Sequence, residues 1–343
     1  MKELFTINDI DVFIMTHNRA NYLKQSLDSI LNQTIKPVCV TVLDNESTDN
    51  TEDIVKGYES RNVKYVKTLG FLGNFNKARE LVKNKYCILF HDDDVLNPFY
   101  FEYALKAINS YSDVSQVLTR YLEFTDSNLP VDYNRKCDNR HVVFNTQKQF
   151  AIHMYFHEVI AYATAIYRTN DFLSTDIEYE KYNKFNDWPF MVKIANKGKT
   201  VLFDDGYLFH LRRHSGQDTW TYTNVPTIQQ IVNWDKCFFS AMKLSNFSLS
   251  VLNKMFNNKA KIFMKGKYDA FLPPEYKIEH SVTELQVYAR KIGLEVSFDS
   301  EIQTNNIVIK SINKIFAKIY RKIEKKIFYD TYEKLMNKWG VNE

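Results

Sequence analysis

Three consecutive carboxylates, Asp92, Asp93 and Asp94, follow the run Tyr86-Cys87-Ile88-Leu89-Phe90 and the single residue His91. Like charges a few ångströms apart repel, and such clusters persist when a cation lies among their oxygens. The apolar run predicts a short buried strand, so the acids stand at a strand's carboxyl end, where open α/β sheets bind ligands. A solvated acidic turn is the plainer alternative. Two further polar runs could share the crevice: Thr16-His17-Asn18-Arg19, and Asp44-Asn45-Glu46-Ser47-Thr48-Asp49-Asn50-Thr51. Together they suit a nucleotide-type ligand, with base and ribose on the early loops and a diphosphate bridged through a metal to the acids. His153 and His157 are four apart and suit a metal pair, but no third ligand stands beside them.

Placing these groups together requires strands that end in line. Asp11 to Met15, Val38 to Leu43, Val63 to Val66 and Tyr86 to Phe90 predict four short strands. Between them Leu23, Leu27, Ile30 and Leu31 recur at helical spacing, with Asn21 as N-cap. Ile54, Val55 and Tyr58 mark a second helix, and Phe75, Ala78, Leu81 and Val82 a third after a loop punctuated by Gly70 and Gly73. Such alternation implies βαβ units and a mostly parallel sheet. From Asn97 a helix follows with Pro98 at its first position, then a strand region from Ser115 to Phe124. A helix holds Phe150, Met154 and His157, and Ala161 to Tyr167 is a further strand. Asp187 precedes Phe190, Met191, Ile194 and Ala195 at helical spacing and reads as that helix's N-cap.

These motifs resemble the family 2 glycosyltransferases. Ile14-Met15-Thr16-His17-Asn18-Arg19, followed by Leu23 and Leu27-Asp28-Ser29-Ile30, is similar to the family's opening. Asp44 to Thr51 resembles its D-N-x-S-T-D-x-T segment, and Asn74-Phe75-Asn76-Lys77-Ala78-Arg79 its G-x-x-x-A-R helix start, with Asn74 in the Gly place. His91-Asp92-Asp93-Asp94 stands where the family keeps its DXD motif, with His91 at the place of the first Asp. Met15 replaces the usual Pro. The resemblance implies a GT-A fold (a Rossmann-like, mostly parallel sheet flanked by helices), a nucleotide-sugar donor and a divalent metal, Mn²⁺ or Mg²⁺. By position, Thr16, Asn18, Arg19, Asn74 and Arg79 would line the nucleotide pocket and Asp44 would contact the base, usually uracil. Asp92 would lie near the ribose or the metal, with Asp93 or Asp94 ligating it.

The resemblance gives Asp187 a second reading. Similar enzymes place an E-D pair at this helix start as general base, and here Asn186 stands for the Glu while the Asp is kept. Inverting transfer needs one carboxylate to take the acceptor proton and a metal to offset charge on the departing diphosphate. A cap and a base are compatible, because a helix N-terminus favours an ionised carboxylate. Arg212, His214, Gln217 and Thr219 fall in phase with the family's R-x-H-x-x-Q-x-S/T segment. This implies that His214 completes the metal shell or touches the diphosphate, and that Arg212 or Arg213 binds phosphate oxygens. Residues 125 to 145 are polar and without period, and are expected to form a loop over the acceptor side.

The rest of the composition narrows the classes. The 343 residues suit a GT-A domain over 1–222 and a helical C-terminal region over 223–343, with helices expected at Ile228 to Leu244, Leu249 to Tyr268 and Leu285 to Ile292. A net charge of +4 is too small to imply nucleic acid. Four scattered cysteines without a C-x-x-C pair suit a reducing compartment. The N-terminus does not read as a signal peptide and no apolar run spans a membrane, so a cytoplasmic protein is expected. Within 307–339, Ile312, Ile315, Phe316, Ile319, Ile323 and Ile327 form a stripe opposite Lys and Arg. Such a helix either lies peripherally on an anionic membrane surface, which suits a lipid-linked rather than a plain saccharide acceptor, or packs, for instance in a homo-oligomer. Two rivals to the enzyme remain. A nucleotidyltransferase would carry a Gly-rich loop after the first strand, where this chain has Thr16 to Arg19. A degenerate sugar-binding module would keep the fold without turnover.

Overall fold

In the computed structural model the described residues are 4–242, apart from 71, 126–128, 130–132, 138, 157–159, 184–185, 204–205, 215 and 218–227. The chain opens with β1 (Ile10–Thr16), α1 (Ala20–Leu31), β2 (Val40–Asn45), α2 (Thr51–Lys56), β3 (Val63–Thr68), α3 (Gly73–Leu81) and β4 (Tyr86–His91). There follow β5 (Val95–Leu96), α4 (Tyr100–Ser110), β6 (Val114–Thr119), β7 (Leu122–Phe124), β8 (His141–Phe144) and α5 (Gln147–Phe156). The described part ends with β9 (Ile166–Arg168), α6 (Thr169–Leu173), α7 (Tyr179–Tyr182), α8 (Asp187–Ile194), β10 (Lys199–Phe203), β11 (Phe209–Arg212) and α9 (Ile228–Met242).

Among the described residues the main sheet has eight strands in the order β3-β2-β1-β4-β9-β6-β10-β8. β1 to β4 run parallel, as do β6 and β10, while β9 and β8 are antiparallel to their neighbours. The central strands read as unbroken apolar runs because both faces are covered. Alternation divides them: Val12 and Ile14 with Ile88 and Phe90 pack with Leu23 and Leu27 of α1. Phe13, Cys87 and Leu89 pack with Phe75 and Ala78 of α3 on the other face. Register decides where the strands stop. Thr16 pairs with Asp44, Met15 with His91, and Asn45 with Thr68, so the loops after β1, β2, β3 and β4 leave one sheet edge side by side. A second, three-stranded sheet, β5-β11-β7, brings the segment after Arg212 to the same place.

Three local expectations are corrected. Asn21 does not cap α1, which starts at Ala20; the Asp49 carboxylate accepts the Ala20 N–H at 3.0 Å instead. Pro98 precedes α4 rather than opening it. Asn97 turns the chain by accepting the Phe99 N–H, and Gln33, just beyond α1, accepts that of Phe101. Residues 125 to 145 are not all loop, because His141–Phe144 pairs with β10 as an edge strand, with Val142 and Phe144 inward. Four residues are too few for their alternation to stand out in sequence. α9 falls within the helix expected at Ile228 to Leu244 and packs on α8 through Trp188 and Trp234, ring centroids 5.3 Å apart. His157, Thr219, the helices expected beyond Met242 and the basic stripe of 307–339 lie outside the described residues. His153 is buried with its ring 5.0 Å from that of Phe144, a core position.

Candidate active site

The acids of the triplet are not a solvated turn. Asp92, Asp93 and Asp94 are 2%, 3% and 2% exposed. Their backbone is held from α1, where the Ser26 hydroxyl lies 2.7 Å and 2.6 Å from the carbonyls of Asp92 and Asp94. One turn on, Ser29 Oγ accepts the Leu96 N–H, and the Gln33 amide donates to the Asn97 carbonyl. Ser26 and Ser29 of α1, with Gln33 just past its end, form a buried polar ladder beside the helix's apolar stripe of Leu23, Leu27 and Ile30. Sequence reasoning passed over it. The available signal was three hydrogen-bonding residues at i, i+3 and i+7 beside the apolar stripe.

The carboxylates have distinct electrostatics. Burial pushes Asp92 up to about 7, with the Asp93 charge adding to it and the Arg19 guanidinium opposing. Burial and the neighbouring Asp93 charge raise Asp94 well above the usual carboxylate range. Burial acts on Asp93 too, but Arg19, His91 and His214 outweigh it and hold its carboxyl below that range. Arg19 Nη1 lies 3.3 Å from Asp92 Oδ1 and 2.5 Å from Asp93 Oδ2, and Nη2 donates to the Gly216 carbonyl. His214 Nδ1 accepts the Gly216 N–H, which leaves the proton on Nε2, and Nε2 lies 3.0 Å from Asp93 Oδ2. His214 therefore orients Asp93, packed on the Tyr22 ring at 4.5 Å.

Donor atoms of His91, Asp93 and Asp94 all lie within 4.8 Å of one another. Two buried carboxylates and an imidazole are a donor set for a divalent ion such as Mn²⁺, and a cation there would offset the repulsion that raises Asp92 and Asp94. The residues fit the metal. His91, read in sequence as a break in the DXD pattern, belongs to the cluster, with Nδ1 3.8 Å from Asp94 Oδ2.

Around this centre the other predicted residues divide. The Thr16 hydroxyl is buried beside Asp92 without a well-directed bond to it. Asn18, in the left-handed region at φ 51°, bonds the second loop through Ser47 Oγ and the Thr48 N–H. Asp44 is buried, accepting the Ser47 N–H at 3.1 Å and the Tyr65 hydroxyl. Burial and that bond push the Tyr65 hydroxyl above its usual range. Asn74 ties strand ends together, donating to the Thr16 carbonyl at 3.2 Å and accepting the Thr68 hydroxyl. Beside it Gly73 permits close approach, since a Cβ there would stand 3.1 Å from Asn45 Oδ1.

Two residues are not where the motif comparison placed them. Arg79 points away from the triplet and donates to the carbonyls of Phe172, Leu173 and Thr175 at the end of α6. Arg212 is 1% exposed, its guanidinium 4.9 Å from the Tyr22 ring and 4.4 Å from that of Phe124. Its Nε donates to the Asp93 carbonyl, its backbone N–H to Asp94 Oδ1, and Nη2 to Gln25. It shapes the acidic turn instead of facing a phosphate. Arg213 pairs outward with Glu123.

Asp187 opens α8, which runs back to β10, so its N-terminus stands at the edge where the parallel strands end. Asn186 takes the cap position and its side chain makes no capping bond. The Asp187 carboxyl has no hydrogen bond or ion pair among the described residues, and burial pushes it up to about 7. It keeps a partly open face, as a group at the bottom of a cleft does. Its charge also bears on the buried phenols of Tyr162 and Tyr167, both raised chiefly by burial and both without a hydrogen-bond partner among the described residues.

Residues 11–169 match the profile of glycosyl transferase family 2. Over that stretch, a little under half of the chain, the sequence is similar to that family. Among curated relatives, an uncharacterized glycosyltransferase of Methanocaldococcus jannaschii is 31% identical over 126 residues, 35% of this chain and 43% of that protein. One of Rickettsia prowazekii is 25% identical over 63% of this chain and 67% of that protein. The chain thus spans less than half of the archaeal relative and about two thirds of the rickettsial one. The fold of this chain is similar to that of S. aureus TarS residues 1–349, solved with UDP-GlcNAc. The TM-score is 0.51 at 16% identity, covering 85% of this chain and 94% of that one. The expected GT-A architecture is therefore present, a mostly parallel sheet flanked by helices. No helix of the described residues is long and apolar enough to cross a membrane.

Proposed function

We propose that this glycosyltransferase is an inverting, metal-dependent enzyme that moves a sugar from a UDP-sugar to a hydroxyl of a saccharide or lipid-linked acceptor in bacterial cell-surface polysaccharide or glycoconjugate synthesis. The observation that carries the reading is Asp187, a carboxyl without a partner, raised to about 7 and opening at the same sheet edge as the acidic triplet. A group with that affinity is suited to take a proton from a hydroxyl near neutral pH. TarS, solved with UDP-GlcNAc, supports a UDP-sugar as donor class. Asp44, with Tyr65 fixing one oxygen, is the group that would read the base, and Thr16 lies between it and the acids.

A divalent cation held by Asp93, Asp94 and His91 would offset the charge that develops on the leaving UDP. The experiment is a thermal shift of the purified protein with UDP and a panel of UDP-sugars, with and without Mn²⁺. UDP with Mn²⁺ is expected to raise Tm by several degrees, and Asp93→Asn to erase the Mn²⁺-dependent part. A shift in Asp93→Asn equal to the parent's would refute this metal centre.

A cytoplasmic location and contact with a membrane surface through residues 307–339 belong to the same proposal. They rest on the apolar stripe at Ile312, Ile315, Phe316, Ile319, Ile323 and Ile327 flanked by Lys and Arg. Flotation with anionic liposomes is expected to carry the full chain upward and to leave a chain ending at Asn305 at the bottom. Equal behaviour of the two would rule out the membrane contact.

A further inference from the structure

The cation space of the acidic triplet is already served by a cation from the protein itself. Arg19, which leaves β1 at the sheet edge, is only 17% exposed along its side chain and reaches Asp92 and Asp93 together. Its second nitrogen donates to the Gly216 carbonyl, so one guanidinium joins the loop after β1, the end of β4 and the segment after β11. Asp93 Oδ2 is shared between Arg19 Nη1 and His214 Nε2. A carboxylate oxygen with two such donors has little left for a metal, and a guanidinium beside it repels an arriving dication.

We propose that Arg19 is a displaceable internal cation: it neutralises the acidic triplet while the site is empty and, when a divalent ion takes its place, transfers to the diphosphate of the donor. The inference rests on the metal-dependent UDP-sugar reading above and adds a coupling to it. A planar fork matches phosphate oxygens as well as it matches two carboxylates, so the same side chain serves both states. Metal arrival removes the partner of Arg19, and diphosphate arrival supplies another. Each ligand thereby favours the other, a reciprocal coupling between two binding events. Release of the guanidinium also frees the Gly216 carbonyl, which links loading to the position of His214.

The test is titration of the full chain with Mn²⁺ alone, followed by electron paramagnetic resonance, and of UDP with and without saturating Mn²⁺, by calorimetry. Arg19→Gln is expected to bind Mn²⁺ alone about tenfold tighter than the parent, the scale of one lost charge-assisted bond. With Mn²⁺ saturating, the variant should bind UDP about tenfold more weakly, so the mutual enhancement seen in the parent disappears. Arg19→Lys keeps the charge but lacks the fork, and it carries the test if Arg19→Gln does not fold. It should also bind Mn²⁺ more tightly, by a few-fold. Mn²⁺ affinity unchanged or lowered in both variants would overturn the inference while leaving a parent that binds Mn²⁺ and UDP intact. A parent-like Arg19→Lys beside a tighter Arg19→Gln would reduce the effect to net charge and overturn it as well. A parent that binds UDP but no Mn²⁺ would remove the metal centre itself, and the inference with it.

Discussion

Asp187→Asn is expected to lower sugar transfer by about 10²- to 10⁴-fold, the range of a lost general base, with UDP binding unchanged. Asparagine keeps the shape of the side chain and its place at the start of α8, so folding should be preserved. For Asp187 to act as the proposed base, its carboxylate must be ionised. Its carboxyl titrates at about 7, so kcat/KM should rise with pH through that value and level above it. The Asp92 carboxyl, also pushed up to about 7 by burial, titrates in the same range, and the profile alone therefore cannot assign the limb. The residual rate of Asp187→Asn can: it should lack the limb if Asp187 is the base. A residual rate within threefold of the parent, or one with the same rise, would exclude Asp187 from proton transfer.

Arg212→Met is expected to cost about 3–5 kcal/mol of folding stability, the usual scale for removing one member of a buried charged set. The thioether fills part of the space between Tyr22 and Phe124, so lost packing is a minor share. What is lost is the donor to the Asp93 carbonyl and to Gln25, and one of the cations beside Asp93 and Asp94, which leaves Arg19 alone to offset them. Denaturant unfolding would show this as a lower midpoint at similar m-value. A midpoint within experimental scatter of the parent would mean that the turn does not depend on the guanidinium. Arg212→Lys, which keeps charge without the fork, should fall between.

Much of the sheet was legible because its strands carry continuous apolar runs that end in polar loops. Asp11 to Met15 and Tyr86 to Phe90 announce buried strands, and their register then brings Thr16, Asp44 and His91 into one row. The acids at 92–94 were legible for the same reason, as charges at a strand end. What sequence did not reveal is direction. Arg79 and Arg212 occupy motif positions, yet one guanidinium caps α6 and the other is buried under the acidic turn. Spacing along a chain does not state which side of a helix or strand faces the cleft. His91 stood outside the DXD letters for the opposite reason: a pattern is matched letter by letter, whereas a metal site asks only for donor atoms close together, and His91 lies with Asp93 and Asp94. Asp49 likewise reads as part of a ligand loop but serves α1 and α2, accepting from Ala20 and Thr51; those bonds outweigh its burial and hold its carboxyl low.

The serine ladder of α1 has a further consequence for how the enzyme distributes its stability. Because hydroxyls of the helix fix the backbone of residues 92–94, mutually repelling acids are held together without waiting for a ligand to gather them. The entropic cost of assembling the centre is met during folding, so a cation meets a preorganised site. The corresponding penalty is permanent: the fold carries a cluster of acids that Arg19 and His214 relieve in part and loading relieves further. The apo protein is therefore the less stable partner of a pair, and its resistance to heat reports how full the site is.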